Sequence, residues 1–190
     1  MRKIETKQER EKRERRNKTI IGIILVVVMV LSTAGYAFFS GDKKEIKKIE
    51  YNNFKFELLD NGRWYSVVQN NEFVSIYNPK ETENITGFLR ADLTSLSGKP
   101  LYFSFDSDSG GLDEISGNLG RFAERVQYAC LEECPEQWPV KSCYSDNIII
   151  IKESNETLIK QEGSCFYVYA PREEILRVSD ALIFKFLGLN

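Results

Sequence analysis

Between Ile20 and Phe39 the chain runs for twenty residues without a charge. At a helical rise of about 1.5 Å per residue such a segment reaches roughly 30 Å, the thickness of a bilayer's hydrocarbon core. Its centre, Ile20 to Leu31, consists of Ile, Leu, Val and Met with Gly22 as the interruption, and Tyr36, Phe38 and Phe39 gather at the far end, where aromatic rings favour the headgroup region. The pattern predicts one transmembrane signal-anchor helix over residues 19–39.

The flanking charge sets the expected orientation. Residues 1–18 carry nine Lys or Arg against four Glu, whereas the stretch after the run has four Lys (Lys43, Lys44, Lys47 and Lys48). By the positive-inside rule the basic tail stays in the cytoplasm and the rest is exported, giving a single-pass protein of the cell membrane. A basic tail placed directly before a helix reads as a topogenic and lipid-attracting segment rather than a nucleic-acid contact. The rival is a cleaved signal peptide, since the strongly apolar part is about twelve residues long and Ser32-Thr33-Ala34 approximates a small-residue cleavage site.

Of the 26 Lys and Arg and 28 Asp and Glu, the tail takes nine and four, so residues 19–190 keep 17 and 24 and a net charge of −7. An acidic surface repels phosphate backbones, so no nucleic-acid partner is expected for the exported part. Histidine is absent altogether. That removes Ser-His-Asp and Cys-His catalysis and His-ligated zinc and haem.

Residues 40–50 read as a polar stalk or the run-in to a first strand, and residues 51–190 as one exported α+β domain. Phe54 and Phe56 alternate with polar neighbours, and Asp60-Asn61-Gly62 supplies a turn before Trp64 to Val68, so the domain opens on a hairpin. Further strands are expected at Phe73 to Tyr77, Thr86 to Leu93 and Leu101 to Phe105. Gly120 to Glu133 shows helical spacing of Phe122, Val126, Ala129 and Cys130. A meander of three short strands follows over 147–152, 157–161 and 165–169. Pro171, with Glu173 and Glu174 behind it, opens a closing helix that Gly188 stops. The expected fold is therefore α+β: one N-terminal transmembrane helix, then a small domain of mostly antiparallel sheet with two packed helices, stapled by disulfides.

All four cysteines, Cys130, Cys134, Cys143 and Cys165, follow the apolar run. An even count in an exported domain points to two disulfides. Three connectivities are open, and Cys130 with Cys134 and Cys143 with Cys165 is the favoured one. A redox role for Cys130-x3-Cys134 lacks the C-x-x-C spacing of thioredoxin-like enzymes, and a four-cysteine zinc site lacks paired short spacings.

Asp106, Asp108, Asp113 and Glu114 form the sharpest acidic cluster, with Gly111 where a calcium loop turns. The acid required at the twelfth position is replaced by Gly117, so the residues are weak metal candidates and an ordinary strand-to-helix loop is the simpler explanation. No S-x-x-K, G-x-S-x-G or P-loop occurs. Trp64-Tyr65, Trp138 and Phe166-Tyr167-Tyr169 are candidates for a recognition surface, against the commoner role of aromatics in a core. No catalytic residue and no cofactor is expected. The sequence points to a non-catalytic component that binds or scaffolds another protein of the cell envelope, with an envelope enzyme, a thiol oxidoreductase or a carboxylate hydrolase, as the alternative.

Overall fold

A computed structural model of the chain describes residues 7–39, 47–106, 110–132, 134 and 137–189. The chain divides into two compact units, Met1–Glu45 and Ile46–Asn190. The first contains helix α1 (Lys7–Phe39), which takes in the whole charge-free run. Ile20, Ile21 and every residue from Ile23 to Leu31 are exposed. Among the described residues no helix is long and apolar enough to cross a membrane. The side chains of residues 33–39, which complete the charge-free run, lie outside those described.

The second unit opens on an antiparallel meander, β1 (Lys48–Tyr51), β2 (Phe54–Leu58), β3 (Trp64–Val68) and β4 (Asn71–Ser75), ordered as in the sequence. Two of its hairpins turn on residue pairs with both φ angles positive, Asn52-Asn53 and Gln69-Asn70. This is the hairpin geometry that matches strand twist, and asparagine tolerates it best after glycine. The first strand takes in Lys48, Ile49 and Glu50 from the segment expected to be a stalk. A capping box follows β4: Asn78 accepts the N–H groups of Lys80 and Glu81 while Glu81 accepts that of Asn78, opening the single turn α2 (Pro79–Thr82).

The other sheet contains β5 (Leu101–Phe105), β6 (Val126–Tyr128), β7 (Asn147–Glu153), β8 (Leu158–Glu162) and β9 (Cys165–Ala170), in the order β6-β5-β7-β9-β8. Helix α3 (Gly111–Leu119) joins β5 to β6, and α4 (Ile175–Phe186) follows β9. The unit is α+β with antiparallel sheet, as expected, while the second sheet is largely parallel within itself. β5 pairs in parallel with both β6 and β7, β7 with β9, and β8 alone runs antiparallel. The reason is visible in β7, where Ile148 to Ile151 are all buried. A continuous apolar run of that kind is filled on both faces, as in the middle of a parallel sheet. The expected three-strand meander fails because β9 enters between β7 and β8.

Two more expectations are corrected. The helix expected over Gly120 to Glu133 is not found among the described residues of that stretch, where Gly120–Phe122 is a turn of 3-10 helix and Val126-Gln127-Tyr128 pairs with Leu101-Tyr102-Phe103; the α-helix lies earlier, in α3. Valine and tyrosine favour strands, and pairing with β5 outweighs the helical spacing. Thr86 to Leu93 is not a strand either; Thr86 makes one bridge to Leu158, and Leu93–Leu96 is a turn of 3-10 helix capped by Asp92.

The main core joins Phe56, Trp64 and Phe73 of the meander, Ile115 and Leu119 of α3, Val178, Leu182 and Phe186 of α4, and Phe103, Ile149, Ile151, Phe166 and Val168 from one face of the second sheet. Strand alternation sends Tyr102, Ile148, Ile150 and Tyr167 to the opposite face. Among the described residues no helix covers them there. Ala129, Leu131 and Cys143 pack on that face instead, from a loop held by two disulfides, Cys130–Cys134 (Cα atoms 5.7 Å apart) and Cys143–Cys165 (4.9 Å). Among the described residues no cysteine is free.

Candidate functional site

β4 is an edge strand of the meander, and an unpaired edge exposes backbone donors and acceptors. Here side chains cover it. Asn118, on α3, accepts the N–H of Val74 at 3.0 Å and donates its amide to the Val74 carbonyl at 2.8 Å, so one side chain imitates a neighbouring strand. Arg121 donates to the Glu72 carbonyl. Asp180, on α4, accepts the N–H groups of Ile76 and Tyr77 at 3.0 and 2.7 Å. Two helices thereby approach the meander through polar groups, and a cleft of about 400 Å³ remains beside α3, lined by Arg63, Glu72, Asp113, Glu114, Asn118 and Arg121 among others.

Glu114 and Arg63 form the floor. Glu114 pairs through Oε2 with the Arg63 guanidinium, and its side chain is 4% exposed against 38% for Arg63. Its other oxygen, Oε1, has no hydrogen-bond partner, nor has Arg63 Nε. A buried acceptor left unpaired costs about 1–3 kcal/mol, and this oxygen, like the Arg63 Nε–H beside it, has no surface of its own open to the cleft. Arg121 is held over the rings of Phe73 and Phe122, 4.7 and 5.1 Å from their centres. Glu72 accepts the Tyr65 hydroxyl at 3.0 Å, which raises that phenol above its usual range.

Asp180 lies deeper and is fully buried. Burial, reinforced by the negative charge of Glu114, pushes its carboxyl from the ordinary 3.8 up to about 8, against the pull of the Tyr77 and Ile76 N–H groups and of Arg63. Two carboxyls so unlike in environment resemble an acid–base pair. With no exposed surface and Oδ2 spent on two backbone donors, however, Asp180 has no access to a substrate.

The sequence candidates fall in several places. Asp106 is exposed at the end of β5 and gives its N–H to the Ile151 carbonyl. Asp108 lies outside the described residues. Asp113 and Glu114 open α3, the former exposed and the latter turned into the cleft. Among the described residues no group of His, Cys, Asp or Glu could hold a metal ion. Cys130 and Cys134 are bridged at the far side of the second sheet, where Lys141 sits 4.3 Å above the Tyr102 ring and 3.2 Å from Asp146, tying the loop down. Lys141 and Arg125 hold the Tyr102 hydroxyl below its usual range. Of the aromatic candidates, Trp64, Phe166 and Tyr167 are buried, whereas Trp138 is partly exposed and packs against Tyr128 and Phe105.

Sequence reasoning missed Arg63, Asn118 and Asp180. Asp180 did leave a signal: it shares a helical face with Leu176, Ile183 and Leu187, and a carboxylate within an apolar stripe needs a specific partner. Compared with known proteins, the chain matches no family model, no curated protein and no solved structure.

Proposed function

We propose that this chain is a single-pass membrane protein, basic tail in the cytoplasm, that presents a disulfide-stapled α+β unit outside the cytoplasm to bind or scaffold another protein of the cell envelope. One observation carries the membrane part. Ile20 to Leu31 expose apolar side chains on every face of α1, Gly22 apart, and a helix that is hydrophobic all round needs an apolar surrounding. The charge-free run extends this to twenty residues, and the nine cations before it supply the orientation. Two disulfides in the unit that follows fit an oxidising compartment.

The binding role is supported by chemistry that the unit lacks and by a cleft that it has. With histidine absent, both disulfides formed and Asp180 sealed, what remains accessible is a polar cleft lined by charged side chains. Anchoring is tested by washing membranes at alkaline pH. The full chain is expected to stay in the pellet, and a variant with Ile24, Val27 and Leu31 all replaced by Arg to appear in the supernatant. Release of the unaltered chain by the wash contradicts the anchor.

A further inference from the structure

Residues 88–99 pass beside β8 and the turn that joins it to β9, leaving a groove of two adjoining cavities, about 350 and 270 Å³, that share Arg90, Gln161 and Gly163. Its walls are fixed. Gln161 accepts the Arg90 N–H at 2.8 Å and donates to the Gly163 carbonyl at 3.0 Å. Ser164 gives its N–H to the Cys143 carbonyl at 2.8 Å, beside the Cys143–Cys165 bridge. Two cations line the groove, Arg90 and Lys99, and among the described residues neither enters an ion pair or a side-chain hydrogen bond. No carboxylate lines it among those residues: nearby in sequence, Asp92 is spent on Thr94 and Ser95, and Glu162 on Lys160. Asn147, 7% exposed, lines the groove and commits one amide N–H to the Ser95 carbonyl at 3.0 Å. Its Oδ1 has no partner, yet unlike the unpaired oxygens of Glu114 and Asp180 it is not sealed from the surface. The larger cavity is bordered by Phe88, an aromatic ring 76% exposed.

We infer that this groove takes the C-terminal end of a partner's peptide chain, with the carboxylate on Arg90 and Lys99, the last peptide N–H on Asn147 Oδ1, and an apolar final side chain toward Phe88. The inference rests on the reading of the unit as a binding domain and names the part of the partner that it holds. A carboxylate only accepts, which answers two cations whose donors are unspent, and charge-assisted bonds of this type are the strong ones. Phosphate or another acceptor-only anion would meet the cations and leave Asn147 Oδ1 without a donor. The end of a peptide brings an N–H within one residue of its carboxylate. A ring as exposed as Phe88 gains from an apolar cover. The net charge of −7 over residues 19–190 opposes an anion at long range, but screening over about 8 Å at physiological ionic strength leaves the groove's own cations decisive. Walls held by a disulfide and by Gln161 are built before the ligand arrives, which spares the cost of ordering them.

The test is nuclear magnetic resonance titration of the isotopically labelled full chain in detergent, following the backbone amide signals of Arg90, Gly163 and Ser164. The probes are Nα-acetylated tripeptides ending in alanine, leucine or phenylalanine, each as the free acid and as the C-terminal amide, and inorganic phosphate. At least one free acid is expected to move these signals saturably, its amide to leave them in place, and phosphate to bind about tenfold or more weakly. Arg90→Gln combined with Lys99→Gln should weaken the free acid about tenfold or more; both side chains are exposed and unpaired, so the double variant tests the groove and not the fold. Several results overturn the assignment: no movement with any free acid, equal movement with the amides, phosphate binding as tightly as the peptides, or a double variant that binds unchanged. If the assignment fails while a specific partner is still crosslinked to the chain in membranes, the groove is not its site and the binding-domain reading stands; if no partner is crosslinked either, both fall.

Discussion

Asp180 is held as a neutral acid at physiological pH, because a fully buried carboxyl next to the charge of Glu114 ionises only around pH 8. Its pKa is raised on folding, so the stability it contributes is complete below about pH 4 and is lost as the pH rises through about 8. Between pH 8 and pH 6 the unit should gain about 2 kcal/mol from this group, at up to ~1.4 kcal/mol per pH unit. Asp180→Asn keeps an oxygen for the Ile76 and Tyr77 N–H groups and has no proton to lose, so its stability should vary far less over that interval. Urea denaturation at pH 6, 7 and 8 checks this, and parallel pH profiles for the two proteins would show that Asp180 is not the group responsible. At this scale the sequence was only partly legible. Residue types announced what could not happen, through the missing histidine and the four cysteines, but the Arg63–Glu114 pair joins positions 51 residues apart and has no local mark.

Helices α3 and α4 meet at a glycine, and that contact separates two substitutions of the same kind. A Cβ on Gly111 would lie 2.6 Å from both Ile175 Cγ2 and Ser179 Oγ, whereas one on Gly117 would meet nothing within 4 Å. Replacing a helical glycine by alanine ordinarily gains up to about 1 kcal/mol. Gly117→Ala should therefore stabilise by about that much, while Gly111→Ala, which forces two packed helices apart, should cost about 1–3 kcal/mol. Thermal unfolding of both variants measures the contrast, and equal shifts of the same sign would contradict the packing. Elements with local signals were readable: the hairpin over β2 and β3 from its turn residues, and the closing helix from Pro171 and Gly188. α3 was hidden because Ser116, Gly117 and Asn118 are poor helix formers, and β6 because three residues take their conformation from β5 rather than from themselves.

For the molecule as a whole, the α+β class and the two disulfides follow from patterning and cysteine count, but strand order does not. β5 stands between β6 and β7, and β9 enters beside β7 ahead of β8, arrangements fixed by long-range pairing that local alternation cannot encode. The disulfide loop does for one face of the second sheet what α3 and α4 do for the other, which makes the oxidation state part of the architecture. Cys165 is fully buried under that loop, and its bridge to Cys143 closes a segment with a separation of 22 residues. Oxidising surroundings and the anchor are thus one claim. Its most direct measurement adds protease to intact spheroplasts and, in parallel, a membrane-permeant thiol alkylator before lysis. The account predicts digestion of the unit from Ile46 onward without lysis, a surviving membrane-bound N-terminal fragment, and no alkylated cysteine until a reductant is added. A unit that resists protease until the cells are broken open, with all four cysteines alkylated in place, would contradict it.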